Sequence, residues 1–144
     1  MRPTNQRILE SAFSQYGVKE VQGTEKNNPD ILEYFHSIGQ TWVRTDETAW
    51  CSAFANWVCQ NAGCTEISNK LNARSWTNIG HKTKQPEPGD IVVLWRESFE
   101  SWKGHVGFFI RQNDTFIWIL GGNQNNEVNI KPYPKYRLLS YQQV

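Results

Sequence analysis

The chain has 144 residues, a formal net charge of +1, and 38% hydrophobic and 13% aromatic residues; its mean hydropathy is -0.64. A single domain spanning residues 1–144 is expected, able to bury roughly 70% of its unfolded surface without a disulfide or metal. The near-balanced charge argues against a general nucleic-acid binder, and no apolar run approaches the ~18 residues of a membrane-spanning helix.

The N-terminus, Met1 to Arg7, is not followed by an apolar segment, so no Sec-type signal peptide is expected. Residues 5 to 16 read as an amphipathic helix, with Ile8, Leu9, Ala12, Phe13 and Tyr16 at helical spacing and Gly17 as its stop. Gly23 to Asn28 reads as a polar loop. Asn28-Pro29 then resembles an N-cap with proline at the first helical position, opening a helix that ends at Gly39. A third helix is expected from Ala49 to Ala62, capped by Asp46 or Thr48 and stopped by Gly63. A short fourth should run from Ala73 to Gly80, capped by Asn72.

Beyond Pro86-Glu87-Pro88-Gly89-Asp90, a turn cluster, the pattern changes from helix to strand. Ile91 to Trp95, Val106 to Arg111, Phe116 to Leu120, Glu127 to Lys131 and Tyr136 to Tyr141 read as strands, with Pro132 and Pro134 separating the last two. Helices first and strands second predict an α+β domain with an antiparallel sheet.

Cys51 falls at the apparent start of the third helix. Exposed N–H groups there favour a thiolate by a few tenths to about 1 kcal/mol. A buried, inert cysteine among Ala49, Ala53 and Ala55 is the competing reading. Cys59 lies near the C-terminal end of the same helix, where the dipole disfavours a thiolate. Cys64 follows the stop glycine. Both read as structural, and three cysteines leave at least one thiol free.

Of the three histidines, His36 reads as a helix-boundary residue and His81 as part of a polar loop. His105 enters a strand between Gly104 and Gly107, either as a base or as a satisfied strand-end residue. A histidine base works best with a group orienting its second nitrogen. A hairpin starting at His105 brings residues 120 to 123 back beside it, which makes Asn123 the candidate; Gly121-Gly122-Asn123 can equally be a plain turn. Gly104 would let another backbone or a substrate approach closely, Glu47 could cap the helix, hold a substrate amine or lie on the surface, and Trp50 and Trp76 complete the candidate substrate contacts. No pair of histidines or cysteines has zinc-ligand spacing, and no phosphate-binding glycine loop occurs, so neither metal nor cofactor is expected.

Four blocks in order carry a family resemblance: Asp46-Glu47-Thr48-Ala49-Trp50-Cys51-Ser52-Ala53-Phe54, Pro88-Gly89-Asp90, Gly104-His105-Val106-Gly107-Phe108 and Gly122-Asn123-Gln124. The chain resembles the papain-like cell-wall amidases and peptidases of the CHAP and NlpC type over roughly residues 40 to 131. The resemblance implies Cys51 as nucleophile, His105 as general base and acid, and Asn123 as orienting group. It also implies hydrolysis of a peptidoglycan amide bond through a thioester. CHAP relatives often carry an acidic residue two positions before the asparagine; here that position is Gly121.

The expected substrate is therefore the peptidoglycan peptide stem, taken by a monomer without nucleic-acid or integral-membrane partners. Acting in the periplasm or wall after release or specialised secretion, such an enzyme would be a phage lysin or a secreted effector, the latter with a cognate immunity protein. A non-catalytic wall- or sugar-binding module and a papain-fold deamidase or transglutaminase are the alternatives.

Overall fold

The computed structural model describes residues 1–21, 27–40 and 49–144. Most of the expected 23–28 loop, the Asp46 and Thr48 caps, and Glu47 lie outside these residues. Helix α1 is Pro3–Ser14, with proline in its first turn, and the chain after it turns at Gly17, φ +90°. Helix α2 is Pro29–His36, where the Asn28 side chain accepts the Asp30 N–H at 2.9 Å, as its N-cap position predicts. Helix α3 is Cys51–Asn61, so Cys51 is its first residue, and Gly63 follows at φ +75°.

Residues Ala73–Asn78 form a 3-10 helix, shorter and tighter than the helix expected to Gly80, with Asn72 capping it through Arg74 N–H. The strands are β1 His81–Thr83, β2 Ile91–Trp95, β3 Gly104–Gln112, β4 Phe116–Gln124, β5 Glu127–Pro134 and β6 Leu138–Gln143. They form one antiparallel sheet in the order β1-β6-β2-β3-β4-β5.

Three differences from the sequence reading have local causes. His81 lies in β1, a three-residue strand set by pairing with β6 rather than by its own polar composition. Strand β5 runs through Pro132 and Pro134, which an edge strand tolerates because its outer N–H groups need no partner. Strand β4 continues through Gly121-Gly122-Asn123 to Gln124, and Asn125-Asn126 make the turn, both at positive φ (54° and 65°) as a mirror-image hairpin turn requires.

The sheet is apolar on both faces. Ile91, Val93, Val106, Phe108, Leu120 and Val128 pack with Ile8, Ile31, Phe35, Phe54 and Val58 of the helices. The alternate residues Val92, Leu94, Phe109, Ile117, Ile119, Tyr133 and Tyr141 form a second, smaller cluster. Asp90, buried at the start of β2, joins the helical layer to the sheet. It accepts the Asn5 amide at 2.8 Å and the Glu87 N–H at 2.8 Å. Among the described residues no helix is long and apolar enough to cross a membrane.

Candidate active site

Helix α3 lies across β3 and β4, and its first turn meets the beginning of β3. Cys51 is 8% exposed and His105 7% exposed. The thiol sits at the Val106 backbone N–H, with the N–H groups of Ser52 and Cys51 itself also directed at the sulfur. The start of α3 and the start of β3 thereby meet.

Burial decides the charge state. Desolvation pushes the Cys51 thiol up, against the opposing pull of the Val106 N–H, the Arg96 charge and the helix-start N–H groups. The helix-start preference for thiolate is present, and it is the smaller effect. Burial likewise pushes His105 down to about 4; the Gln124 hydrogen bond resists, while the charges of Arg137, Arg96 and Lys131 reinforce the fall. Both shifts favour the uncharged forms at neutral pH, a Cys51 thiol and a neutral His105 imidazole.

The group that orients the ring is Gln124, which corrects the assignment of Asn123. His105 Nε2 is 3.0 Å from Gln124 Oε1. Phe108 faces Leu120 across the β3–β4 ladder, and a regular ladder would set His105 opposite residue 123. Instead Asn123 takes φ +59°, and the β4–β5 register shifts between Gly121 and Gln124. The irregularity delivers the next side chain, fully buried, to the ring.

The Gln124 amide can point only one way. Its Nε2 donates to Ile119 O at 3.0 Å, Asn129 O at 2.8 Å and Asn129 Oδ1 at 3.0 Å. Its Oε1 must face the imidazole, so His105 Nε2 carries the ring proton and Nδ1 keeps the lone pair. Tyr133 completes the enclosure. Its hydroxyl is 3.2 Å from Nε2, and its ring stacks on the imidazole at 5.0 Å between centroids. Burial pushes its hydroxyl pKa up, and negative charge at Cys51 adds to that rise.

The glycines in the signature make room for this arrangement. A Cβ on Gly121 would lie 2.6 Å from Gln124 Oε1, so the Gln124 side chain occupies the space an acidic residue there would need. A Cβ on Gly122 would lie 2.7 Å from the Trp50 ring and 2.8 Å from Phe54 Cβ. Gly104 faces β2 and Arg74, whose Leu94 O and Cγ would stand 2.8 and 3.0 Å from an added Cβ. Its small size thus serves packing within the fold.

Trp50 and Trp76 are both fully buried, which corrects their reading as substrate contacts. Trp50 donates to Glu20 Oε1 at 2.8 Å and Trp76 to Ser52 Oγ at 3.0 Å. Among the aromatic side chains that do reach solvent, Phe99 and Trp102 lie on the loop leading into β3. Arg74 holds that loop through Ser98 O, Phe99 O and Lys103 O at 2.7–2.8 Å. Around the imidazole, Arg137 lies 5.7 Å over the Tyr133 ring and Lys131 5.2 Å over it. Sequence reasoning missed Gln124, Tyr133 and this cationic rim. Only the left-handed preference of asparagine hinted at the irregularity that selects Gln124. Among the described residues no three His, Cys, Asp or Glu side chains are grouped to hold a metal ion.

Among solved structures, the chain is similar to a Staphylococcus aureus protein described as similar to a lipoprotein of the NLP/P60 family. The TM-score is 0.53 at 16% identity, covering 99% of this chain and 42% of that one. That likeness shows a shared α+β, papain-like fold, and the chain spans less than half of that protein's length. No curated protein matches the chain in sequence. The family model for the CHAP domain matches residues 43–123, more than half of the chain, and the chain belongs to the CHAP domain family.

Proposed function

We propose that the chain is a peptidoglycan hydrolase that cleaves an amide bond of the peptide stem with Cys51 as nucleophile. The observation that carries this reading is the Cys51 thiol at the Val106 backbone N–H, one residue along β3 from His105, whose Nε2 is engaged by Gln124. Membership of a family of cell-wall hydrolase type supports the reaction class.

Cys51 gives its proton to His105 Nδ1 as sulfur attacks the amide carbonyl. The Cys51 backbone N–H, at a helix start, stabilises the developing oxyanion. The imidazolium then protonates the departing amine, leaving a thioester. Water, deprotonated by the same nitrogen, releases the carboxylate and restores the thiol. Burial and the cationic rim disfavour a lasting imidazolium, so the proton passes on instead of resting there. Arg96, Arg137 and Lys131 suit the carboxylates of a stem peptide.

The test is digestion of purified peptidoglycan, with mass spectrometry of the released fragments, by wild type and a folded Cys51→Ala variant. Release by wild type alone supports the proposal, and the fragments identify the bond. Equal release by both, or none by a folded wild type, defeats it. The exposed Phe99 and Trp102 favour one alternative, a wall-binding module. That reading predicts wall binding without turnover, unaltered by Cys51→Ala.

A further inference from the structure

Two thiols remain outside the proposed reaction, and the end of helix α3 brings them together. Cys64 N–H donates to Cys59 O at 3.0 Å, across Gly63 at φ +75°. This is the six-to-one bond of a Schellman motif, in which the side chains three positions inside the helix end and two positions beyond it meet. Those side chains are here Cys59 and Cys64, and each thiol shifts the other's proton affinity.

The two differ in access. Cys59 is fully buried in the helical core. Cys64 is partly buried and lines an open cavity of about 310 Å3 with Arg2, Arg7, Glu66 and His81. Arg7 Nε also donates to Ala62 O at 2.8 Å, fixing the helix end beside the cavity. The Cys59 thiol, then Arg7 and Arg2, pull the Cys64 thiol down, whereas burial pushes Cys59 up.

We propose that Cys59 and Cys64 form a dithiol site that low-molecular-weight disulfides oxidise to an internal disulfide, with Cys64 attacking first and Cys59 resolving. In the first exchange Cys64 thiolate attacks one sulfur of the reagent, forming a mixed disulfide and expelling one thiolate, which is protonated to thiol. Cys59, losing its proton, then attacks Cys64 Sγ and expels the second thiolate. Two protein thiols are oxidised, one reagent disulfide is reduced to two thiols, and the two protein protons go to the products. The odd cysteine count then resolves into one pair and one nucleophile, with Cys51 left as the only thiol in an oxidising compartment.

The experiment incubates the native protein with oxidised glutathione, denatures it, alkylates the remaining thiols and maps them by tandem mass spectrometry. The expected result is alkylation of Cys51 alone, a mass lower by two hydrogens before alkylation, and a Cys59–Cys64 crosslink. A Cys59→Ser variant should instead retain one glutathionyl group on Cys64. The proposal is overturned if the wild type keeps three alkylatable thiols, holds a stable glutathionyl group on Cys64, or crosslinks through Cys51. The wild-type outcome decides even if the variant fails to fold, and it is independent of hydrolytic activity.

Discussion

Lowering the pH should destabilise the fold through His105 in an amount the structure sets. The folded imidazole is held near 4, against 6.5 for an unperturbed histidine. Between those values the unfolded chain binds a proton that the native chain does not, so stability falls as pH falls. The stabilisation is fully present above pH 6.5 and is lost on the way down through 4. A difference of 2.5 pH units at 1.36 kcal/mol each is about 3.4 kcal/mol in the limit. It amounts to about 2 kcal/mol at pH 5 and about 3 kcal/mol at pH 4. Urea unfolding of wild type and His105→Asn, followed by circular dichroism from pH 7.5 to 4, isolates this contribution because the carboxylates and His36 and His81 are common to both. The wild type should lose about 3 kcal/mol more than the variant over that range. Parallel stability profiles would show that the native ring takes its proton normally and that burial does not govern it.

Replacing Gly121 with alanine sets a Cβ 2.6 Å from Gln124 Oε1, so the amide must leave the imidazole. The expected cost is about 1–3 kcal/mol in stability with loss of hydrolysis, read by thermal melts and fragment release. Gln124→Ala should lower hydrolysis at least about tenfold, whereas Asn123→Gly, which keeps the left-handed backbone without strain, should preserve most of it. Equal losses in the two variants would return the orienting role to Asn123. Iodoacetamide at neutral pH should label Cys64 before Cys51, since burial raises the Cys51 thiol while Cys59, Arg7 and Arg2 lower the Cys64 thiol. Peptide mapping against time checks the order, and prior labelling of Cys51 contradicts it.

The helices were legible because their ends are written in local chemistry: Asn28-Pro29 at one start, and Gly17, Gly39 and Gly63 at three stops, all at positive φ. The central strands were legible as apolar runs. Strand β1 was not, because three exposed or half-exposed residues become a strand only by pairing with β6. At the site, the placement of Cys51 at a helix start and of His105 at the start of a strand was legible in the local pattern. The orienting residue did not, because one left-handed asparagine exchanges the side chain presented to His105. Trp50 and Trp76 were misread for a related reason. Proximity to Cys51 in sequence says nothing of the side of the helix on which a ring lies, and both rings face the interior with their N–H groups paired.

The contact of Gly122 with the Trp50 ring has a further consequence. Trp50 immediately precedes Cys51, and Gly122 stands two residues before the Gln124 amide that holds the His105 ring. Thiol and imidazole are thus carried on elements that meet where the Gly122 backbone packs on the Trp50 ring and Phe54 Cβ. The distance between them behaves as a mechanical stop, fixed by how closely an indole can approach a main chain. A bulkier residue at 122 would act as a shim, moving both groups apart while leaving each correctly oriented on its own element. Drift at either position is therefore constrained by the other, and the tryptophan and glycine are expected to change together or not at all.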